Sequence, residues 1–240
     1  MRYSPAPMTD FSHLRAITLD LDDTLWPVWP TIHRAEKALG DWLLVHAPLT
    51  AALFSDPLTR QTLREDVLAA YPHWSHDLSA LRLEALRQGL SRSKEDVALA
   101  QDAFEVFYAE RQRVDLFADA EPALVALRER YPVLAVSNGN ADIHRVGLGA
   151  YFVGSVSAKS CGVAKPHVDI FHAAARFLKL QPHEVLHVGD DAELDVLGAL
   201  DAGMHTAWVN RKAHTWSHPQ TPHLTVTTML ELCSVLGVSV

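Results

Sequence analysis

The run Ala16-Ile17-Thr18-Leu19-Asp20-Leu21-Asp22-Asp23-Thr24-Leu25 constrains this chain more than any other stretch. A short strand-favouring segment ends in three carboxylates within four positions, and a hydroxyl follows at once. Crowded carboxylates repel and raise one another's pKa, so a fold keeps them together only where a cation, a ligand or bulk water relieves the charge. A solvated acidic turn at a strand end would meet that demand without any function. Three later stretches argue for more, because they supply the remaining parts of one reaction.

Read in order, residues 16–20 form a buried strand that enters the acidic loop. Trp26-Pro27-Val28-Trp29-Pro30 follows, where two prolines oppose regular structure and two indoles lie beside the loop. From Thr31, a plausible N-cap, the period becomes helical, with Ile32, Ala35, Leu39, Trp42 and Leu43 on one face. Pro48 and Pro57 bracket a break. Leu58–Ala70 and Trp74–Gln88 read as helices, with Gly89 as a stop. Ser91 or Ser93 caps another helix, striped by Val97, Ala100, Phe104, Phe107 and Tyr108. Residues 31–113 thus hold about four helices and no convincing strand.

After Leu116 the pattern alternates. Helix is expected over Glu121–Arg130, strand over 132–137, a brief strand over Tyr151–Ser155 and helix over His167–Leu178. Then come strand over Val185–Val188, helix over Leu194–Ala202 stopped by Gly203, strand over Thr206–Val209 and a closing helix over Met229–Leu236. Alternation of this kind predicts an α/β fold: a doubly wound, Rossmann-like parallel sheet with an inserted α-helical segment. The expected core is 11–28 with 116–240, and the insert is 29–115. Asp20, Ser137 and Asp190 each end a predicted strand, so the sheet gathers them along one edge, and the insert hangs over that edge.

Composition narrows the function. The apolar share is 48% and mean hydropathy is near zero, as in ordinary globular proteins. No apolar run approaches the roughly 20 residues that span a bilayer, so no membrane role is expected. Met1–Ser12 lacks the apolar core of a signal peptide. Two cysteines, Cys161 and Cys233, make neither a disulfide framework nor a metal-ligand spacing, which fits a reducing, cytoplasmic setting. A formal charge of −8 opposes a nucleic-acid surface.

Asp20-Leu21-Asp22-Asp23-Thr24, Ser137-Asn138, Lys165-Pro166 and Gly189-Asp190-Asp191-Ala192-Glu193-Leu194-Asp195 together resemble the four motifs of the haloacid dehalogenase-like superfamily. The resemblance runs from residue 16 to 210, with the helical insert where that family carries its type 1 cap. It implies a phosphatase that uses Mg²⁺. A phosphate monoester hydrolyses extremely slowly, and enzymes lower such barriers by up to ~28 kcal/mol. The resemblance makes Asp20 the nucleophile, forming an aspartyl-phosphate, and Asp22 the general acid and base. Mg²⁺ would take the Asp20 carboxylate, the Asp22 main-chain carbonyl and the Asp190 carboxylate, with Asp195 acting through a metal-bound water or by orienting Lys165. Lys165 would neutralise the nucleophile and the phosphoryl oxygens. Ser137 would hold a phosphoryl oxygen, helped by Asn138. Asp191 is read either as a ligand or as the cap of the next helix, Asp23 and Thr24 as structural, and His187 as a core histidine.

Within the superfamily, the quoted motifs together with Gly147-Leu148-Gly149-Ala150-Tyr151-Phe152 are similar to the flavin-pathway phosphatases. That branch removes phosphate from 5-amino-6-(5-phospho-ribitylamino)uracil and from FMN. The partner implied is a small phosphorylated metabolite bearing a flat heterocycle, against which Trp26 and Trp29 offer stacking faces. Two other readings keep the same residues: a phosphotransferase resembling a sugar-phosphate mutase, and a non-catalytic relative that senses a ligand. Nothing in the sequence sets an oligomeric state.

Overall fold

The structure, a computed structural model, describes residues 11–240. The reading of Met1–Ser12 as no signal peptide therefore falls, for residues 1–10, outside the described residues. The chain opens with β1 (Ala16–Leu19), whose four residues are all buried, as expected for a central parallel strand covered on both faces. Five helices follow: α1 (Val28–His46), α2 (Pro48–Ser55), α3 (Pro57–Ala70), α4 (Leu78–Arg92) and α5 (Leu99–Arg111). Then α6 (Ala120–Arg130) leads to β2 (Val133–Ser137), β3 (Gly154–Ser157), the short α7 (Ala158–Cys161) and α8 (Val168–Leu178). The rest is β4 (Val185–Gly189), a π-helical turn over Ala192–Leu197, α9 (Gly198–Asp201), β5 (His205–Val209), β6 (Leu224–Val226) and α10 (Met229–Val235).

All six strands run parallel in the order β3-β2-β1-β4-β5-β6, so the α/β, doubly wound expectation holds. Strand order reverses direction at β1, with β2 on one side and β4 on the other, and such a switch point opens a crevice at the carboxyl ends of the strands. Leu19 is level with Ala135 of β2 and with Val188 of β4, which sets Asp20 beside the ends of both neighbours. One face of the sheet packs Ile17 and Leu19 against Leu124 and Leu127 of α6 and Leu232 of α10. The other packs Ala16, Leu134 and Val136 against Ile170, Phe171 and Ala174 of α8. Burying each Leu, Ile, Val or Phe among these contributes ~1.5–3 kcal/mol, so the strand ends are held by a core on both sides.

The helical segment has an apolar centre of its own, where Leu39 and Leu43 of α1 meet Leu86 and Leu90 of α4 and Phe104 and Phe107 of α5. Several boundaries differ from expectation, and proline explains most of them. The first turn of a helix needs no N–H bonds, so proline is accepted there. Helix α1 accordingly starts at Val28, with Pro27 at its cap and Pro30 in its first turn, and Thr31 is buried inside it. Pro48 and Pro57 begin helices of their own, which makes five helices where about four were expected. Asp77 caps α4, so that helix begins after Trp74. Gly89 does not stop α4: a Cβ there would lie 2.5 Å from the Phe54 ring, so glycine lets α2 approach. α5 begins at Leu99, beyond Ser91 and Ser93. β3 starts at Gly154, later than the expected brief strand, and β6 was not expected. Among the described residues, no helix is long and apolar enough to cross a membrane.

Candidate active site

Asp20, at the end of β1, is buried, with 6% of its surface exposed. Its Oδ1 accepts from Lys165 Nζ at 2.6 Å and its Oδ2 from Thr24 Oγ1 at 3.1 Å. Thr24 Oγ1 also lies 3.2 Å from Asp190 Oδ1, so one hydroxyl braces two carboxylates. Asp23 adopts a left-handed backbone with φ of 58° and accepts from Val28 N at 3.1 Å, which ties the loop to the start of α1. Its structural reading stands.

Lys165, in the loop before α8, is the centre of the buried charge. Its ammonium donates to Asp20 Oδ1 and to Asp195 Oδ1, each at 2.6 Å. Asp195 is fully used: Oδ1 also lies 3.2 Å from His187 Nε2, and Oδ2 accepts from Asp191 N at 3.0 Å. A Cβ at residue 189 would fall 2.2 Å from Asp195 Cγ, so only glycine allows this carboxylate to tuck beneath the end of β4. Of the two roles expected for Asp195, orienting Lys165 is the one this geometry fits. His187 is a buried core histidine, as expected, held by Thr18 Oγ1 at 2.9 Å. Asp191 caps the following turn, accepting from Glu193 N and Leu194 N.

The electrostatics follow from burial. Desolvation opposes charge on Asp195, but the Lys165 ammonium and the His187 hydrogen bond outweigh it and hold the carboxyl well below its usual range. Desolvation also opposes charge on Lys165, yet Asp195 and Asp20 keep its pKa above the ordinary value. Asp20 is pushed well up by burial, with Lys165 opposing and Asp195 and Asp190 adding to the rise. Asp190 is raised to about 7, by burial first and then by Asp195 and Asp23. Burial lowers the pKa of His187.

Oxygens of Asp20, Asp190 and Asp195 all lie within 4.8 Å of one another. A hard divalent cation suits such an all-oxygen set, and the two carboxyls pushed up in pKa, Asp20 and Asp190, are the ones a cation would relieve. The residues therefore fit a divalent metal, with Asp20 and Asp190 as its best side-chain ligands. Trp208 Nε1 donates to the main-chain carbonyl of Asp190 at 2.8 Å and fixes that loop.

Asp20, Asp22, Ser137, Asn138, Lys165, Asp190 and Asp195 line one cavity of about 190 Å³. Ser137 Oγ accepts from Gly139 N at 3.0 Å and leaves its own hydrogen for a ligand. Asn138, expected beside it as a substrate contact, spends its amide on Lys165: Nδ2 donates to Lys165 O at 2.9 Å and Oδ1 accepts from Lys165 N at 2.7 Å. The two indoles separate. Trp26 is wholly buried and donates from Nε1 to Asp22 Oδ1 at 2.8 Å, so the expected stacking platform is instead a brace for Asp22. Trp29 is 62% exposed and lines a different cavity of about 560 Å³ with Trp208 and Trp216.

One residue escaped the sequence reading. Arg111, at the end of α5 and 1% exposed, donates from Nη2 to both Asp22 oxygens, at 2.8 and 2.6 Å. Its signal was present: Ala100, Ala103, Phe104 and Phe107 form the buried stripe of α5, and Arg111 continues it four residues on. A charge on a buried face needs a partner, and Asp22 is that partner.

The sequence profile of the haloacid dehalogenase-like hydrolases matches residues 14–203. The chain belongs to that family. It is 32% identical over 231 residues to the 5-amino-6-(5-phospho-D-ribitylamino)uracil phosphatase YigB of Escherichia coli, covering 93% of this chain and 96% of the relative. It is 30% identical to a phosphoserine phosphatase of Thermus thermophilus, over 91% of this chain and 98% of that one. Among solved structures, a 2-haloacid dehalogenase from Pseudomonas syringae superposes with a TM-score of 0.89 at 34% identity, covering 93% and 98% of the two chains. This family member is thus a hydrolase of the class that includes named phosphatases.

Proposed function

We propose that the protein is a Mg²⁺-dependent phosphomonoesterase working through an aspartyl-phosphate on Asp20, with residues 29–115 as a cap over a core of 11–28 and 116–240. The observation that carries this reading is a pair of carboxylates, two positions apart, facing one cavity with different partners. Asp20 is bound by Lys165, whereas Asp22 is held by Arg111 and Trp26. Unlike environments suit unlike roles, nucleophile and proton carrier.

Asp20, Asp190 and the main-chain carbonyl of Asp22 would hold Mg²⁺, whose charge would let a dianionic phosphate approach a carboxylate. A carboxylate oxygen of Asp20 attacks phosphorus, the ester P–O bond breaks, and the leaving oxygen takes a proton from Asp22. Asp22 then takes a proton from water as that water attacks the phosphoryl group, which frees phosphate and restores Asp20. Lys165, anchored by Asp195, and the Ser137 hydroxyl hold negative phosphoryl oxygens as charge spreads over them.

The dehalogenase named for the Pseudomonas syringae structure offers the second reading. A halide leaves without a proton, so a second carboxylate in the cavity has no task there. Asp22 favours phosphoryl transfer. For the substrate, we infer a ribityl phosphate carrying a flat heterocycle, on the similarity to the Escherichia coli enzyme; the two free cysteines fit a reducing, cytoplasmic setting. Shared fold and catalytic residues do not fix a substrate, so the test is a panel. Phosphate release is measured with and without Mg²⁺ from 5-amino-6-(5-phosphoribitylamino)uracil, FMN and phosphoserine. Mg²⁺-dependent release, fastest on the first, is the expected result. Fastest release from phosphoserine overturns the substrate, and no release from any overturns the phosphatase.

A further inference from the structure

The face of the sheet that meets α8 is built mainly from apolar side chains, Ala16, Leu134, Val136 and Val185 packing against Ile170 and Phe171. Thr18 of β1 and His187 of β4 stand among them, level with each other in the parallel register and both buried. Phe171 meets the His187 ring edge-on, 5.0 Å between centroids. Two apolar side chains would fill this space with no polar group to satisfy, whereas buried polar groups are costly unless bonded. Here they are bonded in a continuous line. Thr18 Oγ1 lies 2.9 Å from His187 Nδ1, and His187 Nε2 lies 3.2 Å from Asp195 Oδ1. The same Asp195 oxygen accepts from Lys165 Nζ, which also donates to Asp20 Oδ1, each at 2.6 Å.

The partners fix the direction of each bond. Asp195, kept ionised beside Lys165, can only accept, so His187 Nε2 carries the proton and donates it. Burial keeps the His187 ring neutral, which leaves Nδ1 as an acceptor for the Thr18 hydroxyl. The hydroxyl therefore selects the one tautomer whose N–H points at Asp195. The other tautomer would turn a lone pair toward a carboxylate. Asp195 itself lies in the π-helical turn, an irregular piece of backbone. Asp191 N, which holds its Oδ2, belongs to the start of that turn, so His187 is the partner that ties the carboxylate to the sheet. Lys165 carries a point charge on a flexible four-carbon stem, and its aim depends on the groups it meets.

From this we infer that His187 and Thr18 are positioning residues: they hold Asp195 in the orientation that aims the Lys165 ammonium at Asp20. Neither lines the catalytic cavity, so both act through Asp195 and Lys165. The inference rests on the phosphomonoesterase reading above, in which Lys165 neutralises the nucleophile and the phosphoryl oxygens.

The test uses the full-length enzyme with Mg²⁺ and whichever ester of the metabolite panel it hydrolyses fastest. His187→Gln and His187→Met place side chains of nearly equal volume at this position, but only the glutamine amide can donate to Asp195. His187→Met is expected to lower kcat about tenfold or more, the scale on which outer partners of a site matter, and His187→Gln by less than about threefold. A merely space-filling role would lower both alike, and equal kcat values overturn the inference. Should these variants fold poorly, Thr18→Val, which keeps the shape and removes the hydroxyl, is expected to lower kcat several-fold. An unchanged kcat there removes Thr18 from the role. A further measurement needs no turnover: nitrogen-15 NMR of the histidine-labelled wild-type protein at neutral pH, with the buried ring recognised by its slowly exchanging N–H. His187 is expected as the Nε2–H tautomer alone. An Nδ1–H ring or a mixture of tautomers overturns the relay while leaving the phosphatase intact, whereas no release from any ester removes the phosphomonoesterase reading, and this inference with it.

Discussion

Lys165 and Arg111 are both buried cations set against carboxylates of the same loop, yet their surroundings differ. Lys165 belongs to the sheet edge: two carboxylates face its ammonium, its backbone is clamped by Asn138, and its anchor Asp195 is itself held by His187 and Asp191. Arg111 reaches in from the helical segment and keeps one amino group unspent. The sheet edge is a closed set of hydrogen bonds suited to one unchanging reaction. The junction with the helices is an open set, suited to meeting whatever alcohol the phosphate carries.

The largest effect expected on the closed side comes from Asp20→Asn. The amide keeps shape and removes the proposed nucleophile, so phosphate release should fall by at least ~10⁴-fold, the scale seen when a nucleophile or its activator is removed. The melting temperature should hold or rise, since a buried carboxyl with a raised pKa is replaced by a neutral group. Activity near that of the wild type would remove Asp20 from its role. Lys165→Met should be costly in a different way. It strands Asp195 and Asp20 without their cation, and breaking a buried pair costs about 3–5 kcal/mol. Denaturant unfolding measures this. A loss below about 1 kcal/mol would mean that the closed network is not what holds the sheet edge.

The third expectation concerns protons. Asp190, raised to about 7, holds its proton in the metal-free fold at pH values where the unfolded chain has already lost it. The native state thus binds more protons across that window, and linkage makes metal-free stability fall as pH rises from about 4 to about 7. Mg²⁺ favours the ionised carboxylate, so its apparent affinity should weaken as pH drops through about 7, with protons released on binding. Titration calorimetry in two buffers of different ionisation enthalpy reads that release. Binding that is independent of pH between 5 and 8 would exclude Asp190 as a ligand.

This contrast also explains what could be read in the chain. β1, β2 and β4 are apolar runs that end in polar groups, and a parallel sheet must align such ends. That Asp20, Ser137 and Asp190 meet at one edge was legible because a parallel sheet leaves strand ends few places to go, whereas Lys165 and Asp195 lie off the strand ends and came only from the motif resemblance. Proline misled at Pro27 and Pro30, since its meaning depends on whether the missing N–H falls in a helix's first turn. Trp26 misled because an indole beside an acidic loop can face a ligand or brace a carboxylate, and only packing decides. Arg111 lies 89 residues from Asp22, and its pairing arises from how α5 returns to the sheet, which no local pattern encodes.

The smallest effect expected tests whether Asp22 is positioned from the core as well as from the helices. Trp26→Phe deletes the Nε1 donor at 2.8 Å from Asp22 Oδ1 and also removes part of the ring volume of a fully buried side chain. A lost hydrogen bond to a charged acceptor costs about 1.5–3 kcal/mol in the buried limit. Arg111 still reaches both Asp22 oxygens and should hold the hydrogen-bond part of the loss near about 1 kcal/mol, with the vacated ring volume adding about as much again. If Trp26 fixes the direction in which Asp22 points, kcat should fall several-fold for every ester by the same factor, while the ratios between esters stay constant. If instead those ratios move, the buried indole also affects how the alcohol is held, and the closed and the open sets of contacts meet at Asp22 itself.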